Sequence, residues 1–330
     1  MKTNKHRLLF LSMCSLLTLA SCNGTKSESA HAHGSDSHTH DSPDYFGAYT
    51  ISDSEYGTKT VVTVNGDTRT MITNALPNHT TGSFPNPGNP NTIKAQNRTH
   101  TFPMSPTYTG KSQWVREVGI ALNGVKFEPE TGEVVICESG EHYRIEAKQE
   151  HFDLGLDVNN AHVQPTGEYH YHGTPSGMLS SFETSEDLVH IGFAHDGFPI
   201  YYSQSQAYSP SFQLTDKERI GSDCNYSNPH QSTDVEIEGV QADGTFKSDW
   251  EYVSGLGNLD ECNGIEIDGK YMYLITDSYP FVGRCLMGEF DADQLQGPPP
   301  GQGPPKGGRP PRGGRLSGPP PPDRTNGRIN

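Results

Sequence analysis

The strongest chemical signal in the sequence is Tyr169-His170-Tyr171-His172. On a β-strand successive side chains alternate between faces, so His170 and His172 project to one face and Tyr169 and Tyr171 to the other. A same-face imidazole pair is a bidentate clamp for a transition metal. His162 stands eight residues before His170, across Pro165-Thr166-Gly167, whose proline and glycine favour a turn that folds His162 back over the same face. His195 is the candidate fourth ligand, with Asp157 or Asp196 as the carboxylate that accepts a ring N–H. A His-rich set without cysteine suits copper or zinc, and three histidines leave an open coordination position at which a metal-bound water could act on an ester or glycan.

The same residues admit other readings. With purely structural histidines, Tyr169, Tyr171, Tyr201 and Tyr202 would offer a non-catalytic surface for a glycan or an envelope protein. A metal-dependent hydrolase would use the same histidines with Asp196 or Glu168 as base. There is no Gly-x-Ser-x-Gly elbow, P-loop or strand-linked GxGxxG, so whether the chain is an enzyme stays open. Forty acidic against 24 basic residues give a formal charge of −16. Six of the basic residues lie between 297 and 330, so the body is more acidic still and a nucleic-acid groove is disfavoured.

The elements that must position these residues read as strands. Lys59 to Val64 runs into Asn65-Gly66, Glu133 to Cys137 is β-branched, and Lys270 to Ile275 follows Asp268-Gly269. Pro77 to Asn91 reads as loop, and Asp216 to Ile220 as one short helical turn. An internal repeat organises the whole: Val118 to Phe127 aligns without gaps on Ile191 to Ile200. Each copy is followed by a second matching block, Leu156-Asp157 with Tyr169-His170-Tyr171-His172 and Leu259-Asp260 with Tyr271-Met272-Tyr273-Leu274. Glycines 119, 124, 192 and 197 then sit where the chain needs positive φ or close backbone approach. The expected fold is mainly β, a twisted antiparallel sheet system from two duplicated β units with long loops, few or no long helices, and an insertion in the second copy between about residues 203 and 250.

The ends carry targeting information. Lys2, Lys5 and Arg7 precede the apolar run Leu8 to Ala20, as in a secretory signal, and Leu19-Ala20-Ser21-Cys22 resembles the bacterial lipobox. By that resemblance Cys22 is the lipidated first residue of a mature lipoprotein, anchored in a membrane outside the cytoplasm, periplasmic or on the outer membrane. Residues 23–44 form a polar tether with His31, His33, His38 and His40, a weak metal-binding composition, and residues 297–330 a Pro/Gly/Arg-rich tail read as disordered. The β-rich domain occupies 45–296, with its core at about 111–288. Four cysteines remain in an oxidising compartment and allow three pairings, of which Cys262 with Cys285 and Cys137 with Cys224 is expected, because the stretch from Cys262 to Cys285 reads as a strand that returns the chain.

His162 to Gly173, with Gly192 to Tyr201 and Leu259 to Gly264, resembles the YHYH-domain family of bacterial exported proteins. The resemblance covers roughly residues 111–288 and carries over His162, Tyr169, His170, Tyr171 and His172 as motif positions, with no settled activity. The second motif, often another Tyr-His-Tyr-His in relatives, is Tyr271-Met272-Tyr273-Leu274 here, and His195 stands where an apolar residue is commoner. The reading that results is a cell-envelope lipoprotein whose YHYH domain holds copper or zinc through histidines.

Overall fold

The computed structural model describes residues 44–182 and 184–291. The expected signal, Cys22, the His-rich tether and the Pro/Gly/Arg-rich tail lie outside the described residues.

The chain opens with a four-stranded antiparallel sheet in the order of the sequence: β1 (Tyr49–Asp53), β2 (Thr58–Asn65), β3 (Thr68–Thr73) and β4 (Arg98–Pro103). Asn65-Gly66 makes the β2–β3 turn, with Gly66 at φ 58°. The buried face of this sheet docks through apolar side chains, Val62, Met71 and Phe102 packing with Ile120, Leu122 and Phe193, and through threonines. Thr60 Oγ1 donates to the Asn123 carbonyl at 2.7 Å and lies 2.8 Å from Thr73 Oγ1. A Cβ on Gly124 would fall 1.9 Å from Thr73 Oγ1, so only glycine allows the approach.

After β5 (Tyr108–Trp114), the first repeat unit builds β6 (Gly119–Ala121) and β7 (Lys126–Phe127), inserts β8 (Val134–Cys137) and β9 (His142–Arg144), and ends with β10 (Ala161–Val163) and β11 (Tyr169–Tyr171). A four-residue helix, α1 (Ser176–Leu179), leads to the second unit. That unit builds β12 (Leu188–Ala194) and β13 (Pro199–Ser203). Its insertion holds β14 (Phe212–Leu214), β15 (Cys224–Asn228), β16 (Gln231–Val235) and β17 (Trp250–Tyr252), and β18 (Gly264–Ile267) and β19 (Lys270–Ile275) complete it. β20 (Cys285–Gly288) pairs back onto β5.

The eight repeat strands form one sheet in the order β10-β11-β7-β6-β12-β13-β19-β18, which reads the same from either edge once the copies are equated. Its centre is an antiparallel pair in which Ile120 faces Phe193, while Gly119 faces Ala194 and Ala121 faces Gly192. The Leu122 N–H donates to the Ile191 carbonyl at 2.9 Å, and the equivalent His195 N–H to the Val118 carbonyl at 3.0 Å. These reciprocal pairs define a pseudo-two-fold between Ile120 and Phe193. A Cβ on Gly119 would meet the Phe193 carbonyl oxygen at 2.3 Å and one on Gly192 the Ile120 carbonyl oxygen at 2.5 Å, while Gly124 and Gly197 turn at φ 89° and 91°. The four glycines do what the repeat implied.

Three features refine the expectation. The sheet is mixed, because β11 runs parallel to β7 and β13 parallel to β19. Both copies carry insertions, and these pair with one another as the sheet β16-β15-β8-β9, clamped by Cys137–Cys224, with Cys262–Cys285 as the second disulfide. The helical turn expected at Asp216–Ile220 does not form: Glu218 bridges to Gln241, and the Arg219 guanidinium holds Asp249 (2.6 Å) and Asp243 (2.5 Å). Those long-range ion pairs outweigh a weak local helix preference.

Candidate metal centre

The β10–β11 hairpin turns at Pro165-Thr166-Gly167, with Gly167 at φ 90° and its N–H on the Gln164 carbonyl. This sets His162 directly opposite His170 in the antiparallel register. His172 follows two residues on, where its N–H donates to the Asn160 carbonyl at 2.7 Å. His172 Nε2 lies 3.0 Å from His162 Nε2 and 3.0 Å from His170 Nε2. The ordinary Zn–N distance implies ligand nitrogens about 3.3 Å apart around a tetrahedral ion. The three rings are thus spaced as ligands of one cation.

Their tautomers follow from the far ring nitrogens. His162 Nδ1–H donates to the Leu154 carbonyl at 2.8 Å and His170 Nδ1–H to the Glu168 carbonyl at 3.2 Å, which leaves both Nε2 atoms as lone pairs. His172 Nδ1 is buried without a hydrogen-bond partner. Burial lowers the pKa of all three; for His170 and His172 the shift is large and is reinforced by neighbouring histidines and by Lys126. Burial therefore favours the neutral ring in each. A single proton on His172 Nε2 can point along only one of its two short contacts, whereas one metal ion satisfies all three lone pairs.

His162 and His170 line a cleft of about 580 Å³, together with Glu128, Glu130, Glu133 and Gln164. His172 does not line the cleft and, like His170, is 2% exposed. Lys126, the β7 register partner of His170, lies in the same row and was not foreseen as part of the site. Its ammonium sits 2.7 Å from Glu128 and 3.8 Å from both Glu117 and Glu168. The available signal was a lysine inside the otherwise apolar frame of a repeat block.

The remaining candidates lie elsewhere. Tyr169 and Tyr171 are fully buried on the opposite face. The Tyr169 hydroxyl donates to Asp157 Oδ2 at 2.7 Å, and the Tyr171 oxygen lies 2.6 Å from His79 Nε2 and accepts from Asn123 at 2.9 Å. Neither tyrosine can present a docking surface. Asp157 and Asp196 do not orient ring N–H groups, because each accepts a buried tyrosine hydroxyl instead, Asp196 from Tyr273 at 2.5 Å. Backbone carbonyls take the orienting role. Glu168 is held in a two-pronged ion pair by Arg98, and Asp196 is fully buried, so neither is placed as a base.

His195 does not join the three histidines. Its Nε2 lies 2.9 Å from Glu117 Oε1, and His100 on β4 completes a second cluster whose donor atoms all lie within 4.8 Å of one another. Glu117 is drawn down to about 2, burial opposing and the hydrogen bond and charge of His195 prevailing, while burial pushes His100 down to about 4. Sequence reasoning missed Glu117 and His100, which come from separate elements with no local spacing to connect them.

No match was found among curated proteins or solved structures. The profile described as "YHYH protein" matches residues 99–288, more than half of the chain, and spans both histidine clusters and both repeat units. The chain belongs to the YHYH protein family.

Proposed function

We propose that this chain is a cell-envelope lipoprotein whose YHYH domain binds a transition metal, copper or zinc, through His162, His170 and His172. The observation that carries the reading is the convergence of three Nε2 atoms, two contacts of 3.0 Å meeting at His172. The three donors that converge are all imidazole nitrogens, and imidazole suits copper and zinc. The lipobox at Cys22 supports the anchor, and the His-rich tether would add weak metal capture near the membrane. Elemental analysis of the exported chain, with the four tether histidines changed to alanine, tests the centre. Stoichiometric metal that disappears in His170→Ala/His172→Ala is expected, and a metal-free parent after exposure to copper and zinc would refute it. Release from the membrane in Cys22→Ala tests the anchor.

The cleft favours a second reading, a metal-dependent hydrolase. Two of the three histidines face the cleft, so a metal held there would keep an open position, with Glu128, Glu130 and Glu133 as the nearby carboxylates. Turnover of an ester or glycan that is lost on chelation and restored by one metal would support this reading over metal storage.

A further inference from the structure

The pseudo-two-fold sets His195 at the position that Leu122 holds in the other half, where Leu122 is 0% exposed. The backbone setting is the same in both, each N–H donating across the axis to the opposite unit. Packing at this position asks for an apolar side chain, and the first unit supplies one. The second unit has an imidazole, with its side chain 9% exposed. The position before each repeat block also differs, Glu117 in the first unit and His190 in the second. Both departures from symmetry involve chemistry-bearing side chains, and His195 and Glu117 meet.

We propose that His100, Glu117 and His195 form a second metal site, for a divalent first-row transition cation, separate from the His162–His170–His172 centre. A His195–Glu117 pair alone would explain two of the three residues. It does not explain His100, which comes from the N-terminal sheet, stands 6.0 Å from the His195 ring between centroids, and brings a ring nitrogen within 4.8 Å of the donors of His195 and Glu117. Two imidazoles and a carboxylate from three parts of the chain gather their donors within 4.8 Å of one another, a set that suits such a cation. Of the three, His195 also lines a cleft of about 470 Å³ with Phe102, Asp67 and Glu289, which offers a cation a route to the cluster.

Charge sets this site apart from the three-histidine centre. Glu117 supplies an anionic ligand, so a divalent ion is partly compensated. The ammonium of Lys126, 3.8 Å from Glu117, is itself matched by Glu128 at 2.7 Å and Glu168 at 3.8 Å. The carboxylate selects divalent ions over Cu(I).

The test is a cobalt(II) titration of the full chain with His31, His33, His38 and His40 changed to alanine, followed by visible d–d absorption. A second equivalent is expected, absent in His195→Leu, which installs the side chain that the pseudo-symmetric position already accommodates. Glu117→Gln, which keeps the shape and can still hydrogen-bond His195, should weaken that equivalent by at least about tenfold, and it carries the test if the leucine variant does not fold. Unchanged stoichiometry and spectra in both variants would overturn the proposal, whatever the three-histidine centre does. One equivalent that survives His170→Ala/His172→Ala but not His195→Leu would support it even if the first centre failed.

Discussion

The two halves of the central sheet keep the same tyrosines on one face and differ in what they set on the other. Tyr169 bonds to Asp157 and Tyr171 to Asn123; across the pseudo-two-fold, Tyr271 bonds to Asp260 at 2.8 Å and Tyr273 to Asp196 at 2.5 Å. Asn160 and Asn263, at φ 53° and 61°, make the same turn before β10 and β18. On the opposite face the three histidines correspond to Ile265, Met272 and Leu274, with Ile265 paired to Met272 as His162 is to His170. The apolar trio packs with Leu259 in a separate core cluster. The tyrosines, the carboxylates and the turns are thus scaffold, which both copies need in order to form a sheet. The histidines are not required by that scaffold, since one copy folds without them.

The largest effect should come from breaking the polar trio. His170→Ala/His172→Ala should weaken metal binding by more than about a hundredfold, beyond what loss of outer-shell partners does, as read by equilibrium dialysis. Met272→Ala/Leu274→Ala at the equivalent positions should leave metal content unchanged. The apolar trio should answer in stability instead. Met272→Ala alone should cost about 2–5 kcal/mol in urea unfolding, the usual range for buried methionine or leucine. A loss of metal in that variant would mean that the halves are coupled rather than specialised.

A third effect separates the halves by pH. His190, equivalent to Glu117 in the first half, is pushed down to about 3 by burial, with Arg69 reinforcing the shift and the Gly192 carbonyl and Asp44 opposing it. Its folded value lies below the unfolded one of about 6.5, so the unfolded chain takes up the proton first as pH falls. Its contribution is complete above about pH 6.5 and is lost progressively toward pH 3. His190→Phe should flatten the fall in urea midpoint between pH 7 and 4, and a slope identical to the parent's would contradict the assignment. The smallest effect should be the most symmetric. Tyr169→Phe and Tyr271→Phe should each cost about 1 kcal/mol and leave metal content unchanged; a large difference between them would break the equivalence of the two tyrosine–aspartate pairs.

What was legible in the sequence was local. The Asn65-Gly66 and Asp268-Gly269 hairpins, the glycine roles and the hairpin that joins His162 to His170 follow from neighbours along the chain. The repeat carried this further, since two similar blocks imply two similar units, and both disulfide pairings agree with the expectation. What escaped depends on residues far apart. The pairing of the two insertions, the arrival of His100 beside His195, and the pull of Asp243 and Asp249 on Arg219 have no short-range signature. Asp157 and Asp196 were misassigned for a related reason. Their real partners, buried tyrosine hydroxyls, outcompete a ring N–H because a phenol sealed from water needs an acceptor.

The Cys137–Cys224 bond closes an 87-residue loop, and His162, His170, His172 and His195 all lie inside it. That placement decides what a protease cut can release. A single cut anywhere between residues 138 and 223 leaves both fragments covalently joined, so a nicked molecule separates into two pieces only after reduction and none of the four histidines can be shed by one scission.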